Sequence, residues 1–257
     1  MTITKRDAVP GRVGIVTGAG SGIGRAAALA LLADGWSLAL LGRRIGPLAE
    51  IADNPRFARR AFALACDVSD ADAVASAFDA AVTRFGRLDL LFNNAGVGNP
   101  PGRFETWTAA QWRSVVDVNL NGMFYCLQCA FRIMSSQTPH GGRIINNGSL
   151  SASVPRPNSI AYTATKHAVS ALTRCAALDG RAHDVAVGQI DVGNAHSSLT
   201  SQMAEGVRQA NGELAVEPVI DVEIVGRSVA YMASLPLDAN VLFHTVMATK
   251  MPYVGRG

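Results

Sequence analysis

Short, nearly continuous apolar runs alternate along the chain with stretches in which apolar residues recur every three or four positions. The runs at 13–17, 37–41, 61–66, 88–92, 143–147, 185–190 and 241–246 are too short for helices and too uniformly apolar for strands with one wet face. They are predicted as strands buried on both sides. Between them, 23–33, 71–85, 109–134, 161–177 and 221–233 have helical character; in 71–85 the apolar positions Val74, Phe78, Ala81, Val82 and Phe85 define one face. Strands alternating with helices in this way predict an α/β fold, a doubly wound parallel sheet of about seven strands flanked by helices on both faces. The whole of 1–257 is expected to form one domain. Ligands of such sheets lie beyond the carboxyl ends of the strands, so chemistry is sought just after each strand. The polar stretch near 194–218, with Gly206 and Gly212, is expected to be a lid over the site rather than a pair of surface helices.

Composition narrows the class. The chain is 49% hydrophobic and 17% charged, which excludes disorder. A net charge of +3 without any long basic run argues against nucleic acid as a partner. The first ten residues lack the apolar core of a secretory signal, and no run of 18 apolar residues is present. A cytoplasmic protein with no membrane partner is therefore expected. The four cysteines, 66, 126, 129 and 175, fall in apolar segments with no disulfide spacing. Cys126 and Cys129 form a lone CxxC, which is read as helix packing because zinc needs a second ligand pair. No metal site is expected.

The first strand runs into Thr17-Gly18-Ala19-Gly20-Ser21-Gly22-Ile23-Gly24 and then a helix. Glycines there let the backbone turn sharply and approach a pyrophosphate, while the helix start offers free N–H groups. Gly18, Ser21, Gly22, Ile23 and Gly24 are the candidate cradle. The spacing is GxxxGxG rather than the generic GxGxxG. Sites for NAD usually carry an acid about 20 residues after the glycine turn. Here the second strand ends Leu41-Gly42-Arg43-Arg44, with no acid at its tip. Guanidinium groups at Arg43 and Arg44 suit the 2′-phosphate of NADP(H). NAD(H) stays possible.

The chain also reads Asn93-Asn94-Ala95-Gly96 after the fourth strand, and Tyr162-Thr-Ala-Thr-Lys166 at the start of a helix. Together with TGxxxGxG, in this order and over about residues 10–235, these motifs resemble the short-chain dehydrogenase/reductase family in its short, single-domain form, which has a Rossmann-like fold. The resemblance implies an oxidoreductase that interconverts an alcohol and a ketone or aldehyde by hydride transfer. Tyr162 and Lys166, four apart, share one helix face. A nearby ammonium and a positive nicotinamide are expected to lower the phenol's pKa, so that Tyr162 serves as acid and base. By resemblance, Lys166 also bonds the nicotinamide ribose, and Ser149, thirteen residues before Tyr162, holds the substrate oxygen. Ser151 ranks second to it. Asn119 matches the family's helix Asn, whose carbonyl holds a water next to the lysine. Asp67 and Val68 are placed near the adenine, and Asn94, Ala95 and Gly96 along the cofactor. After the sixth strand, Asp191-Val192-Gly193-Asn194-Ala195-His196-Ser197 keeps the family's Gly at Gly193, replaces its Pro by Val192, and sets Ser197 in place of its Thr. His196 is not expected to take part.

Resemblance further implies a homo-oligomer, a tetramer or dimer, packed through the helices near 109–134 and 161–177. Val97, Leu150, Ala152 and 155–158 are candidates to line the substrate pocket, with Arg156 expected to be solvated. An NAD-dependent alcohol dehydrogenase with the same site is the nearest alternative, and a non-catalytic NADP-sensing regulator the alternative from another class. Such regulators often lack the Tyr or Lys; here both are present, as are Ser149 and Asn119.

Overall fold

The computed structural model describes residues 12–57, 59–196 and 206–254. Among them, seven strands form one fully parallel sheet: β1 (Val13–Thr17), β2 (Ser37–Gly42), β3 (Ala61–Ala65), β4 (Leu90–Asn93), β5 (Gly142–Asn147), β6 (Val185–Gly193) and a last strand (Phe243–Met247). The order is β3-β2-β1-β4-β5-β6-last. All neighbours pair in parallel. The order reverses between β1 and β4, and that switch point opens the crevice where ligands of doubly wound sheets bind.

Alternate residues of each strand feed two cores. Leu38, Leu40, Val16, Phe92, Ile145 and Ile190 pack with α1 (Gly22–Ala33), α2 (Ile45–Ala52) and α7 (Val222–Ser234). Ile15, Leu91, Ile144 and Val187 pack on the other face with α3 (Ala71–Phe85), α5 (Met123–Ser136) and α6 (Ile160–Asp179). Burial on both sides is why the strands read as unbroken apolar runs.

The sequence pattern misses α2. Arg43-Arg44-Ile45-Gly46-Pro47 resembles a break, yet Pro47 stands in the first turn, where its missing N–H costs nothing. The helix expected over 109–134 is also corrected. It divides into α4 (Ala109–Val116), a π-helical turn (Asp117–Gly122) and α5. A π turn inserts one residue and frequently marks a functional position; Asn119 lies in this one.

Of the expected lid, 197–205 and Ser197 with it lie outside the described residues. The described remainder is a small antiparallel hairpin, β7 (Val207–Arg208) with β8 (Leu214–Ala215), making the final sheet strand β9. No described helix is long and apolar enough to cross a membrane.

Candidate active site

The glycine turn sits at the carboxyl end of β1 and shows why side chains are excluded there. Gly18 has φ +65°, in the left-handed region. A Cβ on Gly24 would meet the Gly18 carbonyl oxygen at 2.2 Å and Asn94 Nδ2 at 2.6 Å. The turn is tied to the loop after β4 by Thr17, whose role the sequence reading did not assign. The Thr17 hydroxyl accepts from the backbone N–H groups of Asn94 and Ala95, at 2.8 and 2.9 Å. Asn94 Nδ2 donates to the Thr17 carbonyl and Asn94 Oδ1 accepts from Asn147 Nδ2.

One groove gathers nearly every cofactor residue expected from sequence: Gly18, Ser21, Gly22, Ile23, Gly24, Arg43, Arg44, Asp67, Val68, Asn94, Ala95, Gly96, Tyr162 and Lys166. At its far end Arg43 and Arg44 are exposed at the tip of β2. Asp67 stands near them, its carboxyl held below the usual range by the Ser69 hydroxyl and N–H and by the Arg43 charge. Gly193 does not line the groove. It is a packing position, since a Cβ would lie 2.5 Å from Leu150 Cδ1 and 2.7 Å from Met247 Cβ.

Asn119 acts through its side chain. Its Oδ1 accepts from the Val97 N–H at 2.8 Å, and its Nδ2 donates to the Val97 carbonyl at 2.9 Å. The π turn thereby clamps both backbone groups of the residue that follows Gly96. The fully buried amide explains an asparagine in mid-helix, where propensity disfavours it.

At the near end of the groove, α6 presents Tyr162 and Lys166 one turn apart. No side chain of its own caps this helix. Instead Asn99, from the loop after β4, accepts from the Tyr162 N–H at 2.9 Å, satisfying one of the free donors of the first turn. Lys166 Nζ donates to the Asn147 carbonyl at 2.7 Å and lies 5.5 Å from the Tyr162 ring centre. The Ser149 hydroxyl lies close enough to the Tyr162 phenol to favour its anion. Ser149 Oγ in turn accepts from the Ser151 N–H at 3.1 Å, so Ser151 contributes its backbone. His196 is exposed, and its N–H donates to the Ile220 carbonyl.

Two expectations need correction. Protein groups alone do not lower the Tyr162 pKa. Burial raises it, against the opposing pull of the Ser149 hydroxyl and the Arg156 charge. Burial also lowers Lys166 to about 8, so its ammonium persists at neutral pH and gives way to the neutral amine as pH rises above that value. Arg156 is not solvated either. Its Nη2 donates to Glu217 Oε2 at 2.6 Å and to Asn194 Oδ1 at 3.0 Å, and Glu217 is buried. Glu217 also accepts from Asn194 Nδ2 and Gln209 Nε2. Neither the pairing nor its partner, 61 residues away, has a local signal in the sequence. Leu150, expected to line the substrate pocket, is buried and packs with Ala248, Met251, Met247 and Tyr253.

The groove fits a dinucleotide. Its glycine cradle excludes Cβ atoms where phosphates need close backbone approach, and two arginines stand at one end. At the other end, beside Lys166, the buried Asn147 Oδ1 lacks a hydrogen-bond donor among the described residues, and a ribose or amide group could supply one.

Residues 12–208 match the family model for short-chain dehydrogenases. The chain is 36% identical over 234 residues to a cis-4-hydroxycyclohexanecarboxylate dehydrogenase of Sinomonas cyclohexanicum, covering 87% of this chain and 89% of that one. It is 32% identical over 240 residues to sulfoacetaldehyde reductase 2 of Chromohalobacter salexigens, covering 93% and 95%. Among solved structures, a metagenomic short-chain oxidoreductase in complex with NADP superposes with a TM-score of 0.78 at 29% identity, covering 95% of this chain and 99% of that one.

Proposed function

Since the chain belongs to the short-chain dehydrogenase family, we propose that it is an NADP(H)-preferring enzyme in which Tyr162 exchanges the proton between an alcohol and a carbonyl. The class itself is an oxidoreductase acting on CH–OH or carbonyl groups with a nicotinamide cofactor. The observation that carries the residue assignment is that Tyr162 and Lys166, one turn apart, line the same groove, with Lys166 Nζ held on the Asn147 carbonyl at 2.7 Å and the Ser149 hydroxyl within electrostatic reach of the phenol. Packing alone does not explain a buried lysine and a tyrosine lining one groove at the carboxyl edge of the sheet.

A nicotinamide held in this groove would supply or accept the hydride at the substrate carbon. The chain's residues do the rest. The N–H groups at the start of α1 take the phosphates, and Arg43 and Arg44 take the 2′-phosphate. Lys166 holds the ribose. Ser149 donates its hydroxyl to the substrate oxygen, and Tyr162 donates or removes the proton at that oxygen. Burial favours the neutral phenol, the form that acts as an acid. Carbonyl reduction is therefore served at neutral pH, while alcohol oxidation needs the phenolate and rises toward alkaline pH.

The test is oxidation of NADPH and NADH with cyclohexanone, a 3-oxoacyl thioester, a steroid ketone and sulfoacetaldehyde. A higher kcat/KM with NADPH is expected. Equal values would overturn the cofactor preference, and absence of turnover throughout the panel would favour a sensing role. The proposal extends to a homo-oligomer, supported by exposed Trp112 and Phe124 on α4 and α5. A monomeric mass by light scattering would remove that part.

A further inference from the structure

Asp191 is a part-buried carboxylate next to the reacting groups, and the mechanism above leaves it without a task. It lies near the end of β6, in the same alternation as Val187 and Gln189, on the face turned toward α6. Asp191 Oδ1 accepts from the Ser149 N–H at 2.9 Å and from Gln189 Nε2 at 2.7 Å. The residue before Ser149 must be glycine for this to occur, since a Cβ on Gly148 would lie 2.1 Å from Asp191 Oδ1 and 2.5 Å from Gln189 Nε2. The carboxylate therefore sits directly beneath the turn that carries the serine.

Its own position is fixed by a chain of buried side chains. Gln189 Nε2 also donates to Ser170 Oγ, and Gln189 Oε1 accepts from the Thr173 hydroxyl. Thr173 Oγ1 accepts from Asn146 Nδ2, and Asn146 Oδ1 accepts from Asn93 Nδ2. The chain links β4, β5, α6 and β6 and ends at Asp191. Such a network, satisfied at each link, rigidifies what it holds.

The charges around it are few. Burial pushes the Asp191 carboxyl up, while the hydrogen bonds from Gln189 and Ser149 and the charges of Lys166 and Arg174 on α6 favour its anion, and Tyr162 feels that charge in return. Arg156, in the loop before α6, also acts on Tyr162. The turn after β5 contributes Gly148 and Ser149, which do not titrate. On β9, Thr245 pairs in register with Asp191, and the adjacent His244 packs against Tyr231 of α7 on the opposite face.

We propose that Asp191 is a positioning residue of this site: it fixes the Ser149 turn from beneath and places a carboxylate beside the Tyr162–Lys166 pair. The inference rests on the Tyr162 reading given above. Two consequences separate. The acceptor role needs an oxygen at this place, and the electrostatic role needs a negative charge. Asp191→Ala removes both; Asp191→Asn retains the oxygen and removes the charge. Gly148→Ala should dislodge the carboxylate without altering it.

The experiment measures three things in the full chain: kcat and KM with the best carbonyl of the panel, NADPH affinity by fluorescence titration, and the pH titration of the Tyr162 phenolate by ultraviolet absorbance, taken as the difference from Tyr162→Phe. Asp191→Ala and Gly148→Ala should lose about tenfold to a hundredfold in kcat, because the Ser149 N–H loses its partner, while NADPH affinity is unchanged. Asp191→Asn should recover most of that kcat. Its phenolate titration, and with it the alkaline rise of alcohol oxidation, should move to lower pH, since a negative charge that opposed the phenolate is gone. If Asp191→Ala fails to fold, Asp191→Asn decides. A folded Asp191→Asn whose phenolate titration is unmoved overturns the electrostatic role, and parent kcat in folded Asp191→Ala overturns the positioning role. Retained turnover in Tyr162→Phe would instead strike the underlying reading, which the substrate-free phenolate titration keeps distinct.

Discussion

The two ends of the groove are built in opposite ways. The cofactor end is made of backbone: a glycine turn closed so tightly that Gly24 has no room for a Cβ, with Thr17 as the tie to the next loop. The proposed chemical end is made of side chains, buried Ser149 and Lys166 with half-buried Tyr162, supported by Asn119, Asn99, Gln189 and Asp191 from separate elements. The difference follows from what each end must do. A pyrophosphate is bound by N–H groups that any residue carries, so the requirement there is close approach. Proton transfer needs particular side chains at fixed positions and fixed proton affinities, so the requirement is a rigid polar surrounding.

That contrast predicts separable failures. Tyr162→Phe should have the largest effect. It keeps the ring and its packing but removes the exchanging proton, so kcat should fall by about 10²–10⁴-fold while NADPH affinity by fluorescence titration is retained. Parent-like turnover would show that the chemical end has been misidentified. Gly24→Ala should fail in the opposite sense. Its Cβ would collide with the Gly18 carbonyl oxygen, so the turn must open, and cofactor affinity should fall by roughly 100-fold, about 3 kcal/mol and the upper end of the range for overpacking. Carbonyl turnover at saturating cofactor should suffer far less. A kcat loss larger than the affinity loss would break the division between the two ends.

Arg43→Asp sharpens the comparison further, because it changes which cofactor is held without touching the chemistry. The ratio of kcat/KM for NADPH over NADH should fall by about tenfold or more, consistent with loss of one charge-assisted hydrogen-bonded contact. An unchanged ratio would leave Arg43 as a solvated residue at the start of α2.

The same contrast explains what the sequence made legible. The cofactor end is contiguous: Gly18, Gly22 and Gly24 lie within one turn, and Arg43 and Arg44 end the next strand. Seven strands and their order of burial could be read from hydrophobic runs for the same reason, each run being local. Tyr162 and Lys166 were legible because four residues make one helical turn. Their surroundings were not. Asp191 meets the Ser149 turn across 42 residues, Arg156 meets Glu217 across 61, and Asn99 caps α6 across 63. The π turn at Asn119 leaves no mark in a pattern of apolar positions, and α2 was hidden by a proline that a first turn tolerates.

Lys166 stands where the two ends meet, and it sets the smallest but most diagnostic prediction. Burial lowers its pKa from 10.5 to about 8, partly offset by the Asp191 charge. Below about pH 8 the folded chain therefore carries a buried ammonium that an unfolded chain would hydrate freely. The sign follows from linkage: between about pH 8 and 10.5 the unfolded state binds more protons, so the penalty is full at neutral pH and is relieved as pH rises through that window. The shift corresponds to about 3 kcal/mol at most, and the Nζ bond to the Asn147 carbonyl recovers part of it. Lys166→Met should then stabilise the cofactor-free chain at pH 7 by roughly 1–2 kcal/mol, a rise of a few degrees in Tm for a chain of this size. The gain should vanish above about pH 10, where both states hold the lysine neutral. The same variant should lose turnover and cofactor affinity together, unlike either Tyr162→Phe or Gly24→Ala. A destabilised Lys166→Met at neutral pH would mean that the Asn147 bond and the Asp191 charge outweigh desolvation, so that the lysine supports the fold as well as the reaction.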